Sequence, residues 1–216
     1  GLNNNTKYSS PTQVPGGTWG GPSSIANIKL STGIGEGFRI WLKSDGTLWG
    51  AGQGAGKLGQ NNNTAQSSPK QVGSGTDWRS LDSSWAMTVA SKTDGTLWAW
   101  GENIYGSLGV NDTVTSSSPR QIPGTTWGEW VATSSGSNAT FCIKTDGTLW
   151  GWGRNAYGSL GQNSITTPAG SSGISSPVQI PGDWSNPKDM ASKAIIKSDG
   201  TLWAWGQGGY GQLGQN

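Results

Sequence analysis

Histidine is absent from this 216-residue chain. That excludes a His-based catalytic triad, a His general base and a His metal ligand. Cysteine occurs once, as Cys142. A lone cysteine excludes an intrachain disulfide framework, a Cys-rich zinc site and an iron–sulfur cluster. Charge is sparse, with 12% of residues charged and a net charge of +2. A sequence pI of about 8.7 on so few charges is not the basic stripe of a nucleic-acid binder, so no nucleic-acid partner is expected. No apolar run approaches the ~20 residues of a membrane helix, so no membrane insertion is expected. The 12 acidic residues form no Asp-x-Asp cluster of the calcium-loop kind, and nothing points to a pair of catalytic carboxylates. The expectation is therefore a non-enzymatic chain without cofactor or metal. The chain opens GLNNNTKYSS, with neither an initiator Met nor a signal-peptide pattern, and reads as processed or as part of something longer.

Glycine and tryptophan fill the space that charge leaves. There are 37 Gly and 14 Trp. The glycines follow no strict every-third-residue period, which excludes collagen. Low net charge with many aromatics is the opposite of a disordered composition. A folded, aromatic-cored chain is expected.

One phrase occurs four times: SDGTLWGAG, TDGTLWAWG, TDGTLWGWG and SDGTLWAWG, with its Asp at Asp45, Asp94, Asp146 and Asp199. Spacings of 49, 52 and 53 residues between these positions are those of a propeller, solenoid or array. Downstream come GKLGQ, YGSLGV, YGSLGQ and YGQLGQ. SSPTQV, SSPKQV, SSPRQI and SSPVQI precede Trp19, Trp78, Trp127 and Trp184. The repeats run at about 1–58, 59–108, 109–160 and 161–216, in one domain. The first is longest, and its extra residues fall in 20–37, read as an extended loop.

Asp-Gly between two hydrophobic runs predicts a hairpin with a two-residue type I′ turn, with positive φ at both central residues. FRIWLK, AMTVASK, TFCIK and KAIIK supply the strand before each turn, and TLWAWG or its variant the strand after it. Residues two apart share a strand face, so Trp98 and Trp100 point the same way, as do Trp150 with Trp152 and Trp203 with Trp205. The first repeat has Ala51 in place of its second Trp and lacks the Tyr found at Tyr105, Tyr157 and Tyr210. Its blade should be less well packed. SSPxQV/I and the stretch after the next Trp supply two further strands, with Pro expected at a strand start or on an edge. Four short antiparallel strands per unit, with almost no helix signal, describe a propeller blade.

DGTLWAWGxNxYGSLG followed by SSPxQVPG resembles the repeat of the regulator-of-chromosome-condensation family of β-propellers, over essentially the whole chain. The resemblance implies an all-β propeller of four four-stranded blades. Family members typically close with seven blades, so four repeats imply an open arc or part of a larger propeller. The partial-chain reading is preferred. The family includes a guanine-nucleotide exchange factor that docks on chromatin and a secreted inhibitor of β-lactamase. An exchange factor or secreted inhibitor is thus the alternative to a plain binding or structural module. The polar, Asn/Ser/Thr-rich chain looks more like an extracellular bacterial or viral version, on a virion, fibre or cell surface. Its expected partners are protein: remaining repeats of the same chain, other copies, or a virion or fibre neighbour.

Two columns of residues stand out. Trp49, Trp98, Trp100, Trp150, Trp152, Trp203 and Trp205 are expected to pack blades together rather than to form a ligand surface, since each buries on the order of 200 Å². Lys43, Lys92, Lys144 and Lys197, each two residues before the turn Asp, are a candidate charged ring. Ordinary solvated hairpin charge is the preferred reading. GAGQGAGKLG (50–59) lacks the first Gly and the Ser/Thr of a phosphate-binding loop and is repeat sequence. Cys142 is read as a small buried hydrophobe. Sequons at Asn4, Asn62, Asn111 and Asn138 are expected by composition alone. The variable loops, 20–37, 61–68, 111–118 and 163–176, are the expected partner-specific surface.

Overall fold

The computed structural model describes residues 6, 9–14, 37–134, 138–163 and 173–214. Most of the long first loop therefore lies outside the described residues. Among the described residues, fourteen strands form four antiparallel sheets, and one short 3-10 turn spans Ala156–Gly158. The first sheet holds β1 (Phe38–Leu42), β2 (Leu48–Gly52) and β3 (Gln66–Gln71). The second holds β4 (Trp78–Ser83), β5 (Met87–Lys92), β6 (Leu97–Gly101) and β7 (Ser116–Ile122). The third holds β8 (Trp127–Ser134), β9 (Ala139–Lys144), β10 (Leu149–Arg154) and β11 (Gly173–Ile180). The fourth holds β12 (Asp189–Ala191), β13 (Ala194–Ile196) and β14 (Leu202–Ala204). Strands follow chain order within every sheet, the up-and-down pattern of a propeller blade.

Each full sheet thus starts at the Trp strand and ends at the SSPxQI strand of the next repeat. The segment ahead of β1 falls in 15–36, and β14 has no outer neighbour among the described residues. The outer two sheets accordingly show three strands rather than four. Successive sheets meet through their first strands, β4 against β8 and β8 against β12.

Every Asp-Gly hairpin departs from the expected two-residue turn. Lys92 and Thr96 close the loop, since the Lys92 N–H donates to Thr96 O at 2.9 Å and the Gly95 N–H donates to Lys92 O at 3.1 Å. Three residues, Thr93, Asp94 and Gly95, lie between. Only the Gly is left-handed, with φ +79 at Gly95, and none of the four turn Asp residues has positive φ. This is a type I turn followed by a glycine bulge. The Asp avoids the left-handed region because its carboxylate has a local use. Oδ1 of Asp94 accepts the Thr96 N–H at 2.9 Å and the Thr96 hydroxyl at 2.7 Å.

The proline position also differs. Pro69, Pro119 and Pro177 lie inside β3, β7 and β11, not at their starts. Each falls opposite a register shift, as between Ala99 and Gly101 of β6. Pro lacks the ladder N–H and is accommodated at a bulge on a sheet edge. Pairing resumes beyond the bulge, so β3, β7 and β11 begin at Gln66, Ser116 and Gly173, ahead of the serine before each Pro.

The core is a series of inter-sheet layers. Trp100 joins Phe38, Ile40, Leu42 and Leu58 of the first sheet region, and Trp152 joins Val89, Leu97 and Leu108 of the second. Trp205 packs partly buried against the third. The second Trp of each of the last three hairpins therefore reaches back to the blade before it. Its indole N–H finishes the reach on a backbone carbonyl: Trp100 on Lys57 O at 3.0 Å, Trp152 on Ser107 O at 2.9 Å and Trp205 on Ser159 O at 3.0 Å. The Gly of the LeuGly pair makes room at Gly59 and Gly109. A Cβ on Gly109 would stand 2.6 Å from Trp152 Nε1.

Candidate functional site: the loop end of the blades

Up-and-down strands give the array two ends. The Asp-Gly hairpins mark one; the β4–β5, β6–β7 and β8–β9 connections mark the other, here termed the loop end.

At the hairpin end the turn residues bond to one another. The Asp–Thr bonds continue into an indole, since Trp98 Nε1–H donates to Thr96 Oγ1 at 2.8 Å. The same relay links Asp45–Thr47–Trp49, Asp146–Thr148–Trp150 and Asp199–Thr201–Trp203. Thr hydroxyl and N–H donors hold all four carboxyl groups below the usual carboxylate range, helped by the neighbouring Lys. Each Lys of the column lies against aromatic faces. Lys92 Nζ is 4.8 Å from the Trp78 ring centroid and 5.3 Å from that of Trp98. Lys144 lies likewise over Trp127 and Trp150, Lys197 over Trp184 and Trp203, and Lys43 over Trp49. Lys92 also pairs with Asp77 at 3.1 Å. These cations are engaged as cation–π partners rather than standing as a bare ring.

The Trp column divides by depth. Trp100 and Trp152 are 0% exposed. Trp49, Trp98, Trp150 and Trp205 are half-buried. Trp203 is 50% exposed. Within each of the last three blades the Trp at or before the first strand, Trp78, Trp127 or Trp184, meets both hairpin Trp rings edge to face, as Trp127 does with Trp150 at 6.2 Å and Trp152 at 5.8 Å. The Tyr column adds little packing: Tyr157 and Tyr210 are exposed, and Tyr105 lies under the Arg154 guanidinium at 5.0 Å. Cys142 is buried against Gly128 O, and burial pushes its thiol pKa far up.

The loop end differs in kind. Among the described residues, seven large apolar side chains are exposed. Five of them, Trp85, Ile104, Val114, Tyr157 and Tyr210, belong to loop-end connections, and the other two to β14. Trp85 is 51% exposed. Together with Ala55, Lys57, Glu102 and Thr115 it lines a depression of about 250 Å³ across the first and second blades. Ala86 and Glu102 also border the next crevice, with Ile104 and Tyr105, so the two are neighbours. The support beneath is rigid. Asn103, fully buried, donates to Asp112 O and accepts the Leu108 N–H at 2.9 Å, while Arg120 clamps the Asp112 carboxylate at 3.0 and 2.6 Å. Sequence reasoning passed over Trp85, although a signal was present: it is a Trp with no counterpart in the other repeats.

Among the described residues, no group of three or more His, Cys, Asp or Glu could hold a metal ion, and no helix is long and apolar enough to cross a membrane.

The model of the Regulator of chromosome condensation (RCC1) repeat matches residues 94–143 and 146–192, and a second RCC1 repeat model matches 130–159. Residues 94–192 thus match RCC1-type repeats. The E3 ubiquitin-protein ligase HERC2 of Homo sapiens is 33% identical over 90 residues, 39% of this chain and 2% of HERC2, and its Mus musculus counterpart matches equally. Among solved structures, human WBSCR16 is similar at TM-score 0.68 and 22% identity, over 87% of this chain and 49% of that one. Prp20p of Saccharomyces cerevisiae, described with its binding to Gsp1p and histones, is similar at TM-score 0.68 and 18% identity, over 89% and 49%. Yeast RCC1 (Prp20) bound to Kap60 is similar at TM-score 0.66 and 19% identity, over 92% and 46%. The fold is thus an RCC1-type repeat β-propeller, of which this chain spans about half.

Proposed function

We propose that this chain is a non-enzymatic protein-binding module whose contact surface is the loop end of its first three blades. The observation that carries the reading is that five of the seven exposed large apolar side chains among the described residues, Trp85 included, lie at the loop end, against a hairpin end whose indoles and cations are engaged with one another. Exposed hydrophobics scattered singly are ordinary, but a cluster on one end of a soluble fold marks an interaction site. Trp, Tyr and Arg dominate interface energetics, and Trp85, Tyr157 and the Tyr105–Arg154 pair stand here. The likeness to Prp20p, which binds Gsp1p and histones, supports partners that are proteins. Sparse charge and Asn/Ser/Thr-rich loops support display on an extracellular or virion surface, which protease shaving of intact cells or particles would check.

A photo-crosslinking residue placed at Trp85 or at Asp94 tests the surface in the native extract. A protein captured from position 85 and not from position 94 is the expected result. Capture from position 94 alone would move the surface to the hairpin end.

A further inference from the structure

The depression at Trp85 is a gap in the repeat. At the junction of the second and third blades the matching place is filled from within the chain. There Tyr105 of the second blade lies under the Arg154 guanidinium of the third at 5.0 Å. The crevice beside them, bordered by Ile104, Tyr105, Ser107 and Asn138, has no room for a water molecule. Hydrogen bonds fix the correspondence between the two junctions. Trp152 Nε1–H donates to Ser107 O as Trp100 Nε1–H donates to Lys57 O, so Lys57 holds the place of Ser107. The Arg154 N–H donates to Asn138 O at 3.1 Å as the Glu102 N–H donates to Ala86 O at 2.9 Å, so Glu102 holds the place of Arg154. Between Gly52 and Leu58 the first repeat is one residue shorter than between Gly101 and Leu108, and the residue it lacks is the Tyr. The first junction therefore has neither the tyrosine nor the arginine. It has Glu102, Ala55 and the exposed ring of Trp85 around an open volume of about 250 Å³.

Neither polar recognition group on its wall is matched within the chain. Trp85 meets no other ring and no cation among the described residues, whereas Trp49, Trp98, Trp150 and Trp203 each carry a Lys. Glu102 stands alone among the described carboxylates in receiving neither a hydrogen bond nor an ion pair. Glu129, Asp77 and Asp112 are paired with Arg79, Lys92 and Arg120. The other described Asp side chains accept N–H donors. Lys57, the remaining charge on the wall, is 8% exposed and engaged within the chain. An aromatic face and an unpaired carboxylate lining one depression are the two halves of a guanidinium site. The ring attracts the cation through its quadrupole, and the carboxylate accepts two N–H bonds from the planar fork. The volume falls below the roughly 300–1,000 Å³ of small-molecule pockets and suits one side chain. We infer that the depression receives an arginine side chain of the protein partner, stacked on the Trp85 indole and paired with Glu102, as Arg154 is stacked on Tyr105 at the next junction. The inference rests on the contact surface proposed above and names the chemistry of the partner at that surface.

Titration of the isotope-labelled chain with N-acetyl-arginine amide, followed by nuclear magnetic resonance of the indole N–H signals, tests this. The Trp85 signal is assigned by its absence from Trp85→Phe. It is expected to shift saturably with the arginine amide. Binding of N-acetyl-citrulline amide, which keeps the shape and lacks the charge, should be weaker by about fivefold or more, the scale of an exposed charge contact. Glu102→Gln should weaken binding of the arginine amide by a similar factor. The citrulline comparison is made on the unaltered Glu102 and holds if that variant fails to fold. Arginine and citrulline amides that bind alike, an affinity unchanged in folded Glu102→Gln, or a shift confined to other indoles overturns the inference. The photo-crosslink separates it from the surface reading. Protein captured at position 85 without an arginine-specific shift leaves the surface standing and overturns the arginine. An arginine-specific shift without capture at position 85 faults the surface and upholds the arginine site.

Discussion

Trp152→Ala is the sharpest probe of how the blades cohere. The side chain is fully buried between the second and third blades. Removing on the order of 200 Å² of buried indole at about 25 cal/mol per Å² forfeits about 5 kcal/mol as an upper estimate. The retained Cβ and a compact unfolded chain lower that figure, while the cavity left behind raises it, giving about 3–5 kcal/mol. The lost hydrogen bond adds little. Ser107 O, which accepts the indole N–H, also accepts the Thr140 hydroxyl at 2.9 Å, so no buried acceptor is orphaned. Trp203→Ala is the matched control: the ring is 50% exposed and its N–H is bonded to an exposed Thr201. It should cost about 1–2 kcal/mol. Urea unfolding followed by far-ultraviolet circular dichroism reads both, through midpoints at constant m. Two variants within about 1 kcal/mol of each other would refute the assignment of Trp152, and not Trp203, to an inter-blade core.

Gly109→Ala should destabilise by about 2 kcal/mol or more, because φ is +70 and the new Cβ would press on Trp152; a midpoint equal to wild type would contradict the close approach. The turn carboxyl groups have folded-state pKa values below their unfolded ones. Their stabilisation is present in full above the unfolded value of about 3.9 and is lost as pH falls through the lower folded values. Asp94→Asn should therefore be less stable than wild type at pH 7, with the gap narrowing on acidification below about pH 4; urea midpoints across pH check this, and a gap that widens in acid reverses the sign. Cys142, buried with its thiol pKa raised, should resist a thiol reagent at pH 8 in native protein and react in urea. Prompt native labelling would show that the third blade opens.

Much of this molecule was legible in one dimension because its units are local. A hairpin is closed by residues within five positions of one another, so the repeats of DGTLW announced four hairpins, their flanking strands and the propeller architecture. Repetition also exposed the column of residues, Trp100, Trp152 and Trp205, that ties blade to blade. Turn geometry was misread for a local reason: Asp-Gly suits both a two-residue and a three-residue loop, and the Thr two positions after Asp decides between them by capping its carboxylate. Other features needed the third dimension. Lys92 reads as solvated charge until Trp78, fourteen positions earlier in the chain, is seen beneath it. Pro119 reads as a strand start until the bulge opposite it lets Ser116 pair. Depth within the Trp column depends on which neighbour follows each blade. Leu97 and Leu202 occupy identical sequence phrases, yet one is covered by β7 and the other faces solvent. A repeat specifies what each blade can bind at its edges, and only the assembled array determines which of those edges are filled.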